Sequence, residues 1–232
     1  MLDFLGIGAQ KSGTTWLYEM MRLHPEVDFP AGKELHFWNR PYDKANKRHY
    51  LQQFANSKQQ SGEITPAYAM LDTTTISEIH DAAPNARIIF LIRNPIDRAW
   101  SSALMALQRA TMTLDEASDQ WFIDHFFSVG SIARGDYETT IRNWRSCFGE
   151  ERLLILRYEA LSDHPRGLLE AVADHLRISP KPFRSLPEET VTQHIFSGIG
   201  APIRESLRPV LEKLYRPRID ALSAYLNEPL PW

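Results

Sequence analysis

The stretch "GAQKSGTTW", Gly8 to Trp16, sits between a short apolar run, "DFLGIG", and "TTWLYEMMRLH", whose apolar residues recur at helical spacing. Strand, glycine-containing turn and helix follow one another within two dozen residues. Gly8 and Gly13 have the spacing of a nucleotide phosphate loop, G-x-x-x-x-G-K-[ST], yet Thr14 stands where that loop has lysine and Lys11 lies inside the turn. Backbone N–H groups in such a turn, backed by the positive end of a helix, suit an anion of phosphate type. Thr14 and Thr15 add hydroxyls and Lys11 a mobile cation. Ser12 or Thr14 is expected to cap the helix and Pro25 to help end it. An ordinary strand-to-helix turn with a surface lysine is the competing reading of this stretch alone.

Further along, "RIIFLIR" (Arg87 to Arg93) is an apolar run of strand length, as in a parallel strand covered on both faces. "NPIDRAWSSALMALQ" follows as a helix with Pro95 near its start, where a missing N–H costs little. "RLLILRY" (Arg152 to Tyr158) and "PRGLLEAVADHL" repeat the strand-then-helix unit. The series predicts a single α/β domain over residues 1–232, a parallel sheet flanked by helices in a P-loop-like fold, with its ligand crevice beyond the carboxyl ends of the strands. A magnesium-dependent triphosphatase places an Asp at the end of such a neighbouring strand. Here the strand ends in Arg93, a permanent cation whose planar fork binds an anion directly, and Ser101 offers a hydroxyl one helix turn or more beyond. The expected ligand carries two separated phosphate groups and needs no metal.

Composition bounds the alternatives. The 232 residues are 43% hydrophobic, enough for one well-cored domain, and a net charge of -3 argues against a general nucleic-acid binder. The lone Cys147 cannot form an internal disulfide and points to a reducing compartment. No signal-peptide pattern and no apolar run of about 20 residues is present, so a cytoplasmic protein without a membrane span is expected. The eight histidines show no metal-ligand spacing. Phe29 to Ser61 and Ser179 to Pro202 read as long functional loops.

"GIGAQKSGTTWLYEMMRLHPEV" resembles the 5′-phosphosulfate loop of sulfotransferases, and "RIIFLIRNPIDRAWSSALM" resembles their 3′-phosphate motif. "KELHFW", "GEITPAY", "RGDYETTIRNW", "LLILRYEAL" and the terminal "RIDALSAYLNEPLPW" are most similar to the carbohydrate-type branch that includes heparan sulfotransferase domains. The resemblance implies a 3′-phosphoadenosine 5′-phosphosulfate (PAPS) donor and a hydroxyl or amine acceptor, on a glycan or small metabolite. Lys11 would stabilise the leaving group. Ser12, Gly13, Thr14, Thr15 and Trp16 would surround the 5′-phosphate, and Arg93 and Ser101 would hold the 3′-phosphate. The family's catalytic carboxylate falls on Glu34, a general base, with His36 orienting it or binding acceptor. An extended "KELHFW" would point these two to one side.

Several stretches depart from the pattern. "GEITPAY" has Ile64 where the carbohydrate branch often has lysine, leaving Glu63 and Thr65 as polar contacts and Tyr68 as core packing. "WFIDHFF" reads as the buried face of a helix rather than a sugar platform. Arg134 and Tyr137 face cofactor or acceptor in relatives, or simply start a helix. "HIFSGIGAPIRESLR" replaces the late basic loop that covers the nucleotide, with Ser197, Gly198 and Arg204 as candidates for that work. A P-loop small-molecule kinase would need Lys after Gly13 and a metal-binding carboxylate near Arg93, and the chain has neither. A non-catalytic nucleotide- or glycan-binding module of the same fold would bind 3′-phosphoadenosine 5′-phosphate (PAP) without turnover.

Overall fold

The computed structural model describes residues 1–193, 195 and 200–232. The chain forms two compact units, Met1–Ile92 with Thr140–Ile195, and Arg93–Thr139 with Phe196–Trp232.

The first unit is built on β1 (Phe4–Gly8), α1 (Thr14–Met21), β2 (Val27–Asp28), α2 (Lys44–Gln52), β3 (Gln60–Ile64), α3 (Thr73–Ala82), β4 (Arg87–Ile92), β5 (Leu153–Arg157) and the helix Pro165–Leu176. The five strands are parallel in the order β2-β3-β1-β4-β5. Leu5 of β1 pairs with Glu63 on one side and Ile88 on the other. Residues 88–92 are fully buried, which is why this run lacks polar alternation. Trp16, Leu17, Met20 and Met21 of α1 pack with Ile89, Leu91, Leu156, Leu169 and Val172. Each fully buried aliphatic side chain of this kind contributes about 1.5–3 kcal/mol. The result fixes β1, β3 and β4 side by side, with their carboxyl ends on one edge.

In the second unit, α4 (Pro95–Arg109) packs with the helices Asp119–Phe127 and Arg208–Leu226 around Trp100, Leu104, Leu107, Phe122, Phe126, Leu211 and Tyr215. Asn94 caps α4 by accepting from the Ile96 amide at 3.0 Å, and Pro95 occupies the first turn as expected. Phe122 and Phe126 are fully buried, so "WFIDHFF" is the inner face of a helix. Arg98 is buried too, donating to the Ser131 carbonyl at 2.9 Å.

Two expectations are corrected. The stretch from Phe29 to Ser61 contains α2, which Asp43 caps through the Asn46 amide at 2.8 Å. Only Tyr50 of that helix is buried, so it has almost no apolar stripe to read. The cap of α1 is Gly13 in left-handed conformation, with no side-chain capping bond from Ser12 or Thr14, and the helix ends at Met21. Between Ser179 and Val191 lie two four-residue helices, Lys181–Arg184 and Glu188–Val191. Cys147 is a free, half-buried thiol. No described helix is long and apolar enough to cross a membrane.

Candidate active site

The turn between β1 and α1 is held by the Ala9 amide, which donates to the Leu91 carbonyl at 2.7 Å and so fastens the turn to the end of β4. Lys11 (φ 68°) and Gly13 (φ 85°) both adopt left-handed backbone. At Gly13 the requirement is steric as well as conformational, since a Cβ there would lie 2.6 Å from Leu161 Cδ2 and 3.2 Å from Tyr158 Cδ2. The first internal bond of α1 runs from the Leu17 amide to the Gly13 carbonyl at 3.0 Å, so the amides of the first turn have no partner within the helix. Ser12 is fully buried and, among the described residues, its Oγ has no hydrogen-bond partner. A buried hydroxyl left without a partner costs roughly 1–3 kcal/mol. A phosphate oxygen seated on these amides would accept from it, so the residues present fit a 5′-phosphate group.

Among the residues expected to surround the 5′-phosphate, Trp16 has its side chain engaged elsewhere. The indole is 5% exposed in the core of the first unit and donates through Nε1 to the Val191 carbonyl at 2.9 Å. It anchors the helix and the segment before residue 194; its backbone amide remains in the first turn.

The carboxyl end of β3 carries a second cluster. Glu34 (φ 60°) and His36 (φ 56°) both have left-handed backbone, so "KELHFW" is not extended. Each such non-glycine residue costs on the order of 1–2 kcal/mol. Their side chains nevertheless meet, His36 Nε2 lying 3.7 Å from Glu34 Oε2. Lys33, absent from the sequence-based site, donates from Nζ to Glu34 Oε1 at 2.5 Å and to Thr15 Oγ1 at 3.1 Å. One ammonium thereby links α1 to the candidate base. The only signal for it was its place beside Glu34. His36 also lines a cavity of about 330 Å³ with Phe37, Arg40, Tyr42, His49 and Tyr50.

Glu63 and Thr65 are fully buried, which removes them as surface contacts for an acceptor. Glu63 Oε1 accepts from Tyr50 Oη at 2.5 Å and Tyr68 Oη at 2.8 Å, and Oε2 accepts from Thr65 Oγ1 at 2.6 Å. Burial pushes the Glu63 carboxyl up from its ordinary range, against these hydroxyls and the Leu35 backbone N–H. Burial also raises Tyr50 and Tyr68, with the Glu63 charge adding to it. Tyr68 is therefore a hydrogen-bonding core residue, not packing alone.

In the second unit, Arg93 is half-buried and its carbonyl accepts from Tyr137 Oη at 2.9 Å. Ser101 is half-buried on α4, next to buried Ser102, whose Oγ is 3.3 Å from His125 Nε2. Burial, with Arg98 and Arg134 nearby, lowers the His125 pKa. Tyr137 opens the helix Tyr137–Phe148, and Arg134 donates to the Gly130 carbonyl within its own helix at 2.8 Å. Arg204 donates to Asp119 Oδ1 at 2.6 Å and to the Leu114 and Ala117 carbonyls, and lies over the Phe122 ring. Its guanidinium is occupied with the 114–119 turn. Ser197 and Gly198 lie outside the described residues. Among the described residues no group of three or more His, Cys, Asp or Glu side chains is arranged to hold a metal ion.

Residues 2–197 match the sulfotransferase domain family. The chain belongs to that family. It is 26% identical over 305 aligned residues to human carbohydrate sulfotransferase 15, covering 99% of this chain and 54% of that protein, so it spans about half of that relative's length. Its fold is that of a solved sulfotransferase from Alicyclobacillus acidocaldarius, with a TM-score of 0.74 at 22% identity over 99% of this chain and 97% of the other. Mouse sulfotransferase SULT7A1, solved in complex with PAP, shares it at a TM-score of 0.60 and 16% identity, over 97% and 88% of the two chains. The chain thus has the fold of these solved sulfotransferases.

Proposed function

We propose that residues 1–232 act as one sulfotransferase domain that moves a sulfuryl group from PAPS to a hydroxyl or amine, on a glycan or small metabolite. The buried Ser12 hydroxyl without a partner, under the open first turn of α1, carries this reading. When bound, PAPS supplies a sulfuryl group already activated on a phosphate leaving group. Ser12, the amides of Gly13 to Trp16, and the Thr14 and Thr15 hydroxyls would hold the 5′-phosphate, and Arg93 with Ser101 the 3′-phosphate. Lys11 brings positive charge to the turn where negative charge develops on the leaving oxygen. Glu34 takes the acceptor's proton as the acceptor attacks. Lys33 and His36 on either side hold the carboxylate in place, and the cavity beyond His36 is the place for the acceptor body. The carbohydrate named for the human relative supports a glycan acceptor.

The decisive experiment is thermal unfolding with PAP in EDTA. A ligand that binds only the folded chain raises its stability by about 2.7 kcal/mol at one hundred times its dissociation constant. A clear rise in melting temperature with PAP is expected. Stabilisation by Mg-ATP but not by PAP would instead identify a triphosphate site.

A further inference from the structure

Glu63 is a carboxylate near the carboxyl end of β3, an interior strand between β1 and β2, and has no exposed surface. Such a group is costly to bury, and an apolar residue of similar volume would serve the sheet at least as well. What distinguishes it is where its hydrogen bonds come from. All its partners are neutral donors: Tyr50 of α2, Thr65 and Tyr68 just beyond β3, and the backbone N–H of Leu35. Leu35 lies between Glu34 and His36.

The backbone of this strip extends the pattern. The Glu34 amide donates to the Ile64 carbonyl at 3.0 Å, and the Phe37 and Trp38 amides donate to Tyr68 Oη at 3.0 and 3.4 Å. Tyr68 Oη in turn donates to Glu63. Of the five amides from Glu34 to Trp38, four are thus fixed to residues 63–68, although the strip belongs to no helix or strand. Two left-handed residues persist only where the surroundings over-determine them, and this set of bonds is what does so. The Tyr50 ring also stacks on Phe37 at 4.4 Å and lines the acceptor-sized cavity.

We infer that Glu63 is a positioning residue, a buried carboxylate that through Leu35, Tyr50 and Tyr68 fixes the strip on which Glu34 and His36 face each other. It touches no reacting atom. The inference rests on the reading of Glu34 as the base, and its consequence is that turnover depends on a residue sealed inside the sheet.

The test compares Glu63→Gln, Glu34→Gln and the double variant, each measured for PAP-induced thermal shift and for transfer at saturating PAPS and acceptor. Glutamine keeps the shape of Glu63 but meets three hydroxyls and an amide with one oxygen and an NH₂ group, so the strip loosens. Misplacement of a reacting group by about 1 Å costs about 10²-fold in rate. Glu63→Gln should keep the PAP shift, lose on the order of 10²-fold in kcat with a much smaller change in acceptor KM, and speed hydrogen exchange at Leu35, Phe37 and Trp38. If Glu63 acts through Glu34, the double variant is no slower than Glu34→Gln alone, whereas a separate structural defect multiplies the two losses. Parent kcat in Glu63→Gln beside a slow Glu34→Gln, or multiplied losses, overturns the inference alone. Parent kcat in Glu34→Gln overturns the base reading and the inference with it. Should Glu63→Gln fail to fold, Tyr68→Phe removes the hydroxyl that receives the Phe37 and Trp38 amides and answers through the same cycle with Glu34→Gln.

Discussion

The β1–α1 turn and the Lys33–Trp38 strip stand at the ends of adjacent parallel strands, and both contain non-glycine residues with left-handed backbone. They are finished in opposite ways. In the turn, the groups suited to an anion stand outside the fold's own bonding: the first amides of α1 have no partner in the helix and, among the described residues, the Ser12 hydroxyl has none. In the strip, the polar groups are consumed internally, by Ile64, Glu63, Tyr68 and Lys33. The proposed nucleotide would complete the first region, while the protein has already completed the second. The first should therefore respond to nucleotide, and the second should hold its shape with or without it.

The largest effect that would break this contrast is in rate. Lys11→Ala should lose about 10²–10³-fold in kcat at saturating PAPS, equivalent to about 2.7–4 kcal/mol, while keeping the PAP-induced thermal shift. Arg93→Ala should show the reverse, a weakened PAP shift with a smaller loss of saturated turnover. Normal saturated turnover in Lys11→Ala would mean that the turn only binds. Next is Gly13→Ala, where a left-handed backbone and a 2.6 Å approach to Leu161 combine. A loss of roughly 2–3 kcal/mol in chemical denaturation is expected, and an unchanged midpoint would show that the turn is softer than its geometry implies.

A third effect belongs to the scaffold and must be separated from both regions. His175 is buried on the helix Pro165–Leu176, with Nε2 3.1 Å from the Ile88 carbonyl, and burial beside Arg87 lowers its pKa from 6.5 to about 4. The folded chain keeps it neutral while the unfolded chain protonates it. Stability from this group is full above pH 6.5 and is lost as pH falls from 6.5 towards 4, about 2 kcal/mol by pH 5. Denaturation midpoints from pH 8 to 5 should fall for the parent and flatten in His175→Gln. Any loss of transfer over the same range then has to exceed this decline before it is assigned to chemistry rather than to unfolding. The smallest effect on stability is in the strip: Glu34→Gly should abolish measurable transfer yet leave stability unchanged or raise it by up to about 1 kcal/mol, because glycine relieves the left-handed backbone and the exposed Lys33 contact contributes little.

The parallel sheet was legible because β1, β4 and β5 are apolar runs with strand length, each followed by a segment of helical spacing. The turn was legible because its chemistry resides in the backbone and in glycine spacing. Helix α2 was hidden, since eight of its nine residues are not buried and leave no stripe to read. The strip was only half legible. Glu34 and His36 could be named from "KELHFW", but not their left-handed backbone, nor the Lys33 bridge to Thr15. Nor could the part of Glu63, whose donors are drawn from positions 35, 50, 65 and 68 by folding. Single-sequence spacing carries no record of the bonds that bring Leu35 and Tyr50 to Glu63.

The left-handed pair at positions 34 and 36 also bears on how such a chain ages when nothing selects for transfer. Most side chains are disfavoured there and glycine is welcome, so random substitution followed by selection for folding alone would steer both positions towards glycine. On the role proposed for Glu34, the strip is thus a one-way gate in sequence space: leaving it relaxes the backbone, and returning requires strain to be accepted before any activity rewards it. In a descendant that kept "GAQKSGTTW" but carried glycine at 34 and 36, the nucleotide site would outlast the chemistry, and an enzyme would have become a binding protein without losing its fold.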